Sequence, residues 1–370
     1  MGSRILFAGG GTGGHLFPGI AVAEELLNNN SALEIIFAGS RRGIEQEIIN
    51  QTPYEHLAIE IEPSTEFRRH PVRFLWRFKQ ACRQAAIELK RIDPQVVVGL
   101  GGFASLPFMW AAHRQKRPAI LLEQNIIAGR ATRFCSHWAH KVCLSFPDTK
   151  GKLSRRIEKV VTGNPVRKEI REIALQTPEQ NHKPKLIILG GSQGSVSLNK
   201  FVLQAYVDLK SELAGWEIWH QTGVQDYETV EKQLNELGLN ITCAPFFQQP
   251  EDLYRGATLA VCRAGATTLA ELALVGIPAI LIPYPYALAD HQTANARYYE
   301  QHGGALVLPE SELQMDAGNP SEPLTNPLSK LLKSLIQDSQ QRMEMARSMS
   351  NLAYPEAARK VAELIQNYLD

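Results

Sequence analysis

The chain opens with a pattern that returns once, about one domain length later. The apolar residues 5–8 are followed by the glycine-rich run 9–14, and the apolar residues 186–189 are followed by the glycine-rich run 190–194. An apolar strand, a glycine-rich turn and a helix start are the first parts of a nucleotide-binding βαβ unit. Because the pattern is repeated, the sequence predicts two domains of this kind.

Short apolar runs alternate with longer helical patterns along most of the chain, which is typical of βαβ units around a parallel sheet. The predicted strands are residues 4–8, 35–38, 96–99, 119–123 and 142–144 in the first half, and 186–189, 217–221, 258–262 and 279–282 in the second. We therefore expect the α/β class, with two Rossmann-like domains, parallel sheets and a cleft between them.

The length and the interruptions of the pattern predict the domain boundaries. A chain of 370 residues is too long for a single hydrophobic core. A glycine and a proline interrupt the periodic pattern near residues 163–167, which indicates a boundary there. We expect one domain at residues 1–163 and a second at 164–345. Residues 346–370 include an amphipathic helix that we expect to pack back on the first domain.

Composition and charge exclude several classes of partner. The chain has 39 basic and 38 acidic residues and a formal net charge of +1, so no overall field attracts nucleic acid. The five cysteines are scattered and form no C-x-x-C pair, which favours a reducing compartment. No apolar run reaches the roughly 18 residues that span a bilayer, and the N-terminus lacks a signal-peptide pattern. These features predict a cytoplasmic protein.

The first glycine-rich loop, residues 10–15, follows a predicted strand and precedes a predicted helix. Glycines let the backbone approach a ligand closely, and a helix start favours an anion, so a phosphate-bearing ligand fits. The spacing matches neither a P-loop nor a clean dinucleotide fingerprint. His15 follows the glycines, where a neutral imidazole can accept a proton from an attacking hydroxyl. The alternatives are a tight turn without a ligand and a structural histidine.

The second half carries a related arrangement at residues 190–195 and 262–271. The free amides of a helix start, together with threonine hydroxyls, can hold a diphosphate, and Arg263 adds a fixed positive charge. Glu271 has two interpretations that the spacing does not separate. It either closes a capping box with Thr268 or accepts hydrogen bonds from the two hydroxyls of a ribose.

Two polar clusters follow predicted strands or turns, at residues 123–125 and 290–295. The first lies at the carboxyl edge where open α/β sheets bind ligands, and the second can present amides to sugar hydroxyls. Solvated loops are the alternative for both. The Asp-x-Asp pattern of many metal-dependent sugar transferases is missing. We therefore expect no metal and no cofactor, with helix N-termini and arginine meeting the charge of a leaving diphosphate.

Residues 68–79 mix basic side chains with large apolar ones, which suits the surface of an anionic membrane. The predicted membrane patch consists of Arg73, Phe74, Leu75, Trp76, Arg77, Phe78 and Lys79. The alternative is an ordinary helix with Phe74, Leu75 and Phe78 in the core and the arginines in water.

Taken in order along the chain, these segments resemble the family of bacterial peptidoglycan N-acetylglucosaminyltransferases. The resemblance covers nearly the whole chain and rests on residues 10–15, 17–19, 101–103, 123–125, 163–167, 190–194, 262–265 and 276–278. It implies the GT-B fold of two facing Rossmann-like domains. It also implies a peripheral enzyme at the cytoplasmic face of the bacterial inner membrane. That enzyme would move N-acetylglucosamine, with inversion and without a metal, from UDP-N-acetylglucosamine to the 4-hydroxyl of undecaprenyl-diphosphate-linked N-acetylmuramyl pentapeptide.

The resemblance also implies roles for individual residues. His15 would be the general base, with Glu123 as a helper. Glu271 would hold the ribose, and Phe247 would offer its backbone to uracil. The residues expected to bind the donor or line its site are Thr12, Gly13, Gly14, Asn125, Arg167, Ser192, Phe247, Arg263, Ala266, Thr267, Thr268, Leu269, Ala270, Glu271 and Gln292.

Three features depart from the family pattern, and all are on the acceptor side. Leu122 stands where a histidine is common, Arg133 stands where an asparagine is common, and residues 62–70 lack the usual Gly-Leu-Arg-Gly type of sequence. Four other functions share part of the pattern. A UDP-N-acetylglucosamine 2-epimerase has the same fold and donor groove, and another GT-B sugar transferase would use a different lipid acceptor. A nicotinamide oxidoreductase would need an acidic residue after the first loop, and a non-catalytic module would bind UDP without transfer.

Overall fold

The computed structural model describes residues 3–62, 66–176, 183–191, 194–287, 290–314 and 326–369. The chain divides into two compact units, unit 1 (Met1–Arg167 with Tyr354–Asp370) and unit 2 (Lys168–Ala353). These divisions fall at 167/168 and 353/354, whereas the sequence pattern predicted 163/164 and 345/346.

Unit 1 is built on a parallel sheet whose described strands follow the order β3-β2-β1-β4-β5-β6-β7. The strands are β1 (Arg4–Gly9), β2 (Glu34–Ser40), β3 (Glu55–Ile59), β4 (Val96–Gly101), β5 (Ala119–Glu123), β6 (Lys141–Leu144) and β7 (Glu158–Val161). The central strands β1, β4 and β5 are buried along almost their whole length, as expected when helices cover both faces of a parallel sheet.

Unit 2 has a second parallel sheet, with the described strands in the order β10-β9-β8-β11-β12-β13. They are β8 (Lys185–Leu189), β9 (Glu217–Gln221), β10 (Ile241–Ala244), β11 (Ala257–Cys262), β12 (Ala279–Leu281) and β13 (Ala305–Val307). The apolar side chains of β8, β11 and β12 form one core with the helices that follow them.

The helices complete both units. They are α1 (Gly13–Asn29), α2 (Gly43–Asn50), α3 (Glu66–Arg69), α4 (Pro71–Ile92), α5 (Ser105–Arg114), α6 (Arg130–Cys135), α7 (Lys168–Ala174), α8 (Val196–Asp208), α9 (Lys210–Leu213), α10 (Tyr227–Asn235), α11 (Pro250–Tyr254), α12 (Ala266–Val275), α13 (His291–Gln301), α14 (Glu310–Gln314), α15 (Pro327–Gln337), α16 (Ser339–Ser350) and α17 (Ala357–Gln366). Helix α17 packs on α1 within unit 1, where Val361 and Ile365 join Leu16 and Ile20 in the core.

The strands that the sequence pattern missed are β3, β7, β10 and β13. Each lies at an edge of its sheet, and most of its residues are partly buried or exposed. Since an edge strand packs against fewer neighbours, its sequence need not form the continuous apolar run that marks a central strand. The nine predicted strands, five in the first half and four in the second, are confirmed.

Both sheets reverse their strand order at one point. In unit 1 the chain adds β2 and β3 on one side of β1 and then returns to add β4 on its other side; in unit 2 the same happens around β8, with β11 as the returning strand. Ligands of open α/β sheets bind at the carboxyl ends of the two strands that flank such a reversal. The glycine-rich loops after β1 and β8 therefore lie where each sheet is built to hold a ligand.

Among the described residues, no helix combines the length and the apolar character needed to cross a bilayer. In the same part of the chain, no group of three or more histidine, cysteine, aspartate or glutamate side chains is placed to hold a metal ion. The cysteines are free thiols, and Cys82, Cys135, Cys143 and Cys262 are buried.

Ile365 of α17 is fully buried in the core that α17 shares with α1. We expect Ile365→Ala to lower the free energy of unfolding of unit 1 by about 2–5 kcal/mol, because it removes apolar contacts and leaves a cavity. Urea unfolding followed by circular dichroism measures the change. The exposed Lys360 of the same helix gives a matched control, since Lys360→Ala should cost no more than about 0.5 kcal/mol. Equal effects of the two substitutions would contradict this packing of α17.

Candidate functional site

The loop after β1 passes over a buried carboxylate that the sequence analysis did not single out. Glu45 of α2 is fully buried, and its two oxygens accept hydrogen bonds from the Ser40 amide at 2.8 Å and the Ser40 hydroxyl at 2.6 Å. A Cβ at Gly10 would lie 2.6 Å from that carboxylate, and Gly10 has a φ of 159°. Because any larger residue at position 10 would collide with this carboxylate, a glycine is required there, and Glu45 packs directly against the loop.

His15 lies in the first turn of α1, at the reversal point of the sheet in unit 1. Its half-buried ring places Nδ1 3.2 Å from the Thr12 hydroxyl. On its other side the ring is close to the turn after β4, where a Cβ at Gly101 would lie 3.1 Å from Cδ2 and 3.4 Å from Nε2. The imidazole is therefore held between two glycine turns and remains accessible enough to exchange a proton with a ligand.

Glu123, at the end of β5, is buried and engaged by its own loop. Its Oε1 accepts the Asn125 amide at 3.0 Å, and its Oε2 accepts the Gly129 amide at 2.9 Å. Burial raises the pKa of Glu123, while hydrogen bonds from Thr132, Asn125 and Gly129 act in the opposite direction. The Asn125 side chain also points to Oε1, at 3.4 Å. This geometry favours Glu123 as the residue that positions Asn125 rather than as a base.

The other unit 1 residues expected at the site surround the start of α1. Thr12 is its N-cap residue, and Gly13 and Gly14 form its first turn. The guanidinium of Arg167 lies 4.3 Å from the centre of the Phe17 ring, in a cation–π contact that holds this positive charge near α1. A Cβ on Gly13 would lie 2.7 Å from the same ring. The Phe17 ring therefore contacts both the Arg167 guanidinium and Gly13 in the first turn of α1.

In unit 2 the glycine loop between β8 and α8 lies at the reversal point of the second sheet. Gly194 has a φ of 74°, and a Cβ there would collide with the carbonyl oxygen of Thr222, which follows β9. Ser195 then caps α8, its hydroxyl accepting the Leu198 amide at 3.4 Å. The predicted ligand residue Ser192 lies outside the described residues.

The helix α12 begins at the carboxyl end of β11, on the other side of the reversal point. Gly265 is its N-cap residue, and Ala266, Thr267 and Thr268 are its first three residues. The amides of a first helical turn have no acceptor within the helix, so this end favours an anion. The side chain of Leu269 is fully buried, whereas Thr268 and Ala270 are half-buried. Leu269 therefore contributes to the core, and only its backbone belongs to the helix start.

The capping-box interpretation of Glu271 is wrong. Because Gly265 is the N-cap residue, Thr268 is already the third residue of the helix and cannot pair with Glu271 in a capping box. The Glu271 carboxylate is buried instead and accepts a hydrogen bond of 2.6 Å from the hydroxyl of Tyr254 in α11. A buried carboxylate that is oriented by a neighbour can accept hydrogen bonds from a pair of ligand hydroxyls.

Arg263 carries the fixed positive charge that the sequence predicted, but that charge is paired within the protein. Its side chain is buried, and its guanidinium lies 2.7 Å from the Glu310 carboxylate. It donates hydrogen bonds to the hydroxyls of Ser195 at 2.7 Å and Ser197 at 2.8 Å, and to the carbonyls of Ile282 and Pro283. The guanidinium therefore ties the start of α8 to the end of β12, and Glu310 neutralises it.

The remaining unit 2 residues lie on two other loops. The Phe247 amide donates to Oε1 of Gln221 at 3.4 Å, and the Phe247 ring lies 5.0 Å from that of Trp219. Gln292, in the first turn of α13, accepts the Tyr284 amide through Oε1 at 2.9 Å. Sequence reasoning missed Gln221, Tyr254 and Glu310, because each acts on a residue distant in the chain and belongs to no motif.

The predicted membrane patch is split between the core and the surface. Phe74 and Phe78 point inward, each with its ring 5.5 Å from that of Phe103. Leu75 and Trp76 are 57% and 59% exposed, and the neighbouring Val72 is 81% exposed. Neither interpretation of this segment holds for every residue, since Leu75 lies outside the core while Phe74 and Phe78 lie within it.

The charges of this segment are partly paired. Arg73 lies 3.3 Å from Glu62 and 3.7 Å from Glu66, and Arg77 lies 3.0 Å from Glu60 and 3.2 Å from Glu62. Lys79 is exposed. Exposed ion pairs are weak and are readily exchanged for other partners, so the arginines remain accessible to an anionic surface.

Comparison with known families matches both units. Residues 5–144 match the N-terminal domain of glycosyltransferase family 28, and residues 185–365 match the C-terminal domain of the same family.

Proteins named UDP-N-acetylglucosamine–N-acetylmuramyl-(pentapeptide) pyrophosphoryl-undecaprenol N-acetylglucosamine transferase are similar over the whole length. The one from Desulfotalea psychrophila is 37% identical over 99% of this chain and 97% of its own. The one from Syntrophotalea carbinolica is 35% identical over 98% of both chains.

Solved structures give the same result for the fold. The crystal structure of MurG from Acinetobacter baumannii matches with a TM-score of 0.73 and 28% identity over 99% of both chains. The UDP-N-acetylglucosamine 2-epimerase from Neisseria meningitidis matches with a TM-score of 0.67 and 14% identity over 98% of this chain and 100% of its own, which shows a shared fold alone. The chain thus has the two Rossmann-like units of the GT-B fold class. The two domain models and the whole-length identity together show that the chain belongs to glycosyltransferase family 28, in the family of UDP-N-acetylglucosamine–N-acetylmuramyl-(pentapeptide) pyrophosphoryl-undecaprenol N-acetylglucosamine transferases.

Proposed function

We propose that this protein transfers N-acetylglucosamine from UDP-N-acetylglucosamine to N-acetylmuramyl-(pentapeptide) pyrophosphoryl-undecaprenol, a step of peptidoglycan synthesis. The observation that carries the proposal is the 37% identity to a transferase of this name across 99% of the chain. The catalytic chemistry is that of a hexosyltransferase, in agreement with the two family 28 domains.

Unit 2 binds the donor in this proposal. The amide groups at the start of α12 face the diphosphate, where a helix N-terminus stabilises negative charge. Glu271, oriented by Tyr254, accepts the ribose hydroxyls. The backbone of Phe247 contacts uracil, and Gln292 contacts the sugar. Arg263 acts indirectly, by linking the start of α8 to the end of β12.

Unit 1 supplies the acceptor side and the base. The 4-hydroxyl of the muramyl sugar attacks C1 of N-acetylglucosamine while the bond from C1 to the UDP oxygen breaks, which inverts the configuration at C1. His15 takes the hydroxyl proton. This role is supported by its partly exposed ring between Thr12 and Gly101. Asn125, held by Glu123, contacts the transferred sugar.

The exposed side chains of Val72, Leu75 and Trp76, with the nearby basic residues, form the surface that meets the membrane in this proposal. Apolar side chains enter the headgroup region while arginine and lysine attract anionic lipids. A peripheral position at the cytoplasmic face of the inner membrane would bring unit 1 to its lipid-linked acceptor.

A 2-epimerase is the alternative in another enzyme class. Its support is a fold likeness at 14% identity, whereas the transferases are 35–37% identical over the whole chain. The transferase is therefore the better-supported function.

We expect UDP to be released only when UDP-N-acetylglucosamine and the lipid-linked muramyl acceptor are both supplied, because the acceptor hydroxyl is the nucleophile. A coupled assay for UDP, run with and without acceptor, measures this. Epimerisation of the donor sugar in the arm without acceptor, followed by NMR because UDP stays attached to the sugar, would favour the epimerase. Binding of UDP with neither release nor epimerisation in either arm would favour a non-catalytic module.

His15→Ala is expected to lower kcat by about 10²–10⁴-fold, the usual contribution of a general base. The dissociation constant for UDP, measured by calorimetry, should stay within about twofold, since the residues proposed to contact the uracil, ribose and diphosphate of UDP lie in unit 2. His137→Ala, at an exposed histidine of the same unit, serves as the control. Nearly full turnover by His15→Ala would remove His15 from the mechanism.

The double variant Leu75→Ser/Trp76→Ser should reduce binding to vesicles that contain anionic lipid by roughly tenfold or more, because two exposed apolar anchors are lost. Co-sedimentation measures the bound fraction. Leu175→Ser, at a leucine that is 87% exposed in unit 2, is the matched control. If the double variant sediments like the wild type, this surface does not meet the membrane.

A further inference from the structure

The end of β9 lies between two segments of unit 2 that are connected with UDP. One is the glycine loop after β8, which the sequence pattern predicts to help hold the diphosphate, and the other is the segment of Phe247, which the proposed function assigns to uracil. In the sheet, β9 is flanked by β8 on one side and β10 on the other. Gln221, the last residue of β9, is paired with Leu189 of β8 and with Ala244 of β10. After Leu189 the chain enters the glycine loop, and after Ala244 it reaches Phe247. Gln221 is therefore between the proposed diphosphate and uracil segments.

The side chain of Gln221 connects both segments. Its Nε2 donates to the carbonyl of Gly191 at 3.2 Å, and its Oε1 accepts the amide of Phe247 at 3.4 Å. The residue is 8% exposed. A buried amide makes such bonds at the expense of its contacts with water. Its loss removes the acceptor of the Phe247 amide and one of the two donors to the Gly191 carbonyl, which also accepts the Gly194 amide at 3.0 Å. One carboxamide thus holds the spacing between the glycine loop and Phe247.

The backbone around Gln221 is fixed independently of its side chain. The Thr222 amide donates to the Ala244 carbonyl at 3.0 Å, and the Gly223 amide donates to the Pro245 carbonyl at 3.0 Å. Asn199 of α8 donates to the Thr222 carbonyl, also at 3.0 Å. Changing the Gln221 side chain therefore removes the connection between the two segments while these backbone bonds remain.

We infer that Gln221 is a positioning residue, which touches no substrate and sets the distance between the uracil and diphosphate contacts of the donor site. This inference rests on the proposed function and deepens it. When both contacts are correctly spaced, a ligand that uses both gains more than a ligand that uses one, because the site does not need to be reorganised on binding. Gln221 should therefore favour UDP over uridine.

The test compares the affinities of the full-length protein for UDP and for uridine, measured by calorimetry in the wild type and in Gln221→Met. Methionine keeps the length of the side chain and loses both hydrogen bonds. We expect the dissociation constant for UDP to rise roughly 5–30-fold, as for two modest hydrogen bonds, and that for uridine to rise less than about threefold. The KM for UDP-N-acetylglucosamine should rise by a similar factor to the dissociation constant for UDP, and kcat should fall less than about threefold.

A control variant and a second test variant separate positioning from general damage. Gln204→Met changes an exposed glutamine of α8 that is bonded to Asp208, and it should alter neither affinity. Gln221→Asn keeps the carboxamide but shortens the side chain by one methylene, so it cannot reach both segments and should reproduce the loss of UDP preference. It also keeps the test decisive if Gln221→Met does not fold, as judged by its thermal melting.

The outcomes distinguish this inference from the proposed function. A wild-type protein that binds no UDP would overturn both. A wild type that binds UDP, with an unchanged ratio of UDP to uridine affinity in the folded Gln221 variants, would overturn the positioning role alone. An equal loss of affinity for UDP and for uridine would also overturn it, because a purely structural role would weaken the binding of both ligands to the same extent. A selective loss of UDP affinity supports the inference.

Discussion

The parallel pairing of β1 with β4, and of β8 with β11, is the constraint on which both candidate sites depend. Parallel strands end at the same edge of a sheet, so the helices that follow them begin side by side. In unit 1 this brings the start of α1, with His15, against the turn at Gly101. In unit 2 it brings the starts of α8 and α12 together. The anion-binding property of each helix end is thus directed to one edge of its sheet.

Buried polar side chains hold the loops at those edges. Glu45, bonded to Ser40, packs against the first glycine loop, Glu123 holds the loop of Asn125, and Arg263 links the start of α8 to the end of β12. Each is desolvated, and each recovers hydrogen bonds or an ion pair that only the folded protein supplies. Such groups rigidify the site before a ligand arrives, which reduces the reorganisation that binding and catalysis would otherwise require.

The assignments changed most where charge was inferred from residue type. Arginine next to a glycine-rich helix start was interpreted as a counter-charge for a diphosphate, but Glu310, 47 positions later in the chain, neutralises Arg263 at 2.7 Å. The spacing of Thr268 and Glu271 was equally consistent with a capping box and with a ribose contact. Because Gly265 is the N-cap residue of α12, the capping box is rejected. In both cases the deciding partner is close in space and is not marked in the local sequence.

The amino-acid sequence was sufficient to predict the class of fold, the nine more central strands and the two glycine-rich helix starts, because burial on both faces and close backbone approach restrict which residues are tolerated. Family membership could also be predicted from it, since the family's motifs are spread over the whole chain. The folded structure was needed to identify the edge strands β3, β7, β10 and β13, the buried and exposed sides of α4, and the partners of Glu123, Glu271, Arg263 and Gln221. These depend on contacts between distant residues, and a hydrogen bond or an ion pair leaves no periodic pattern along the chain.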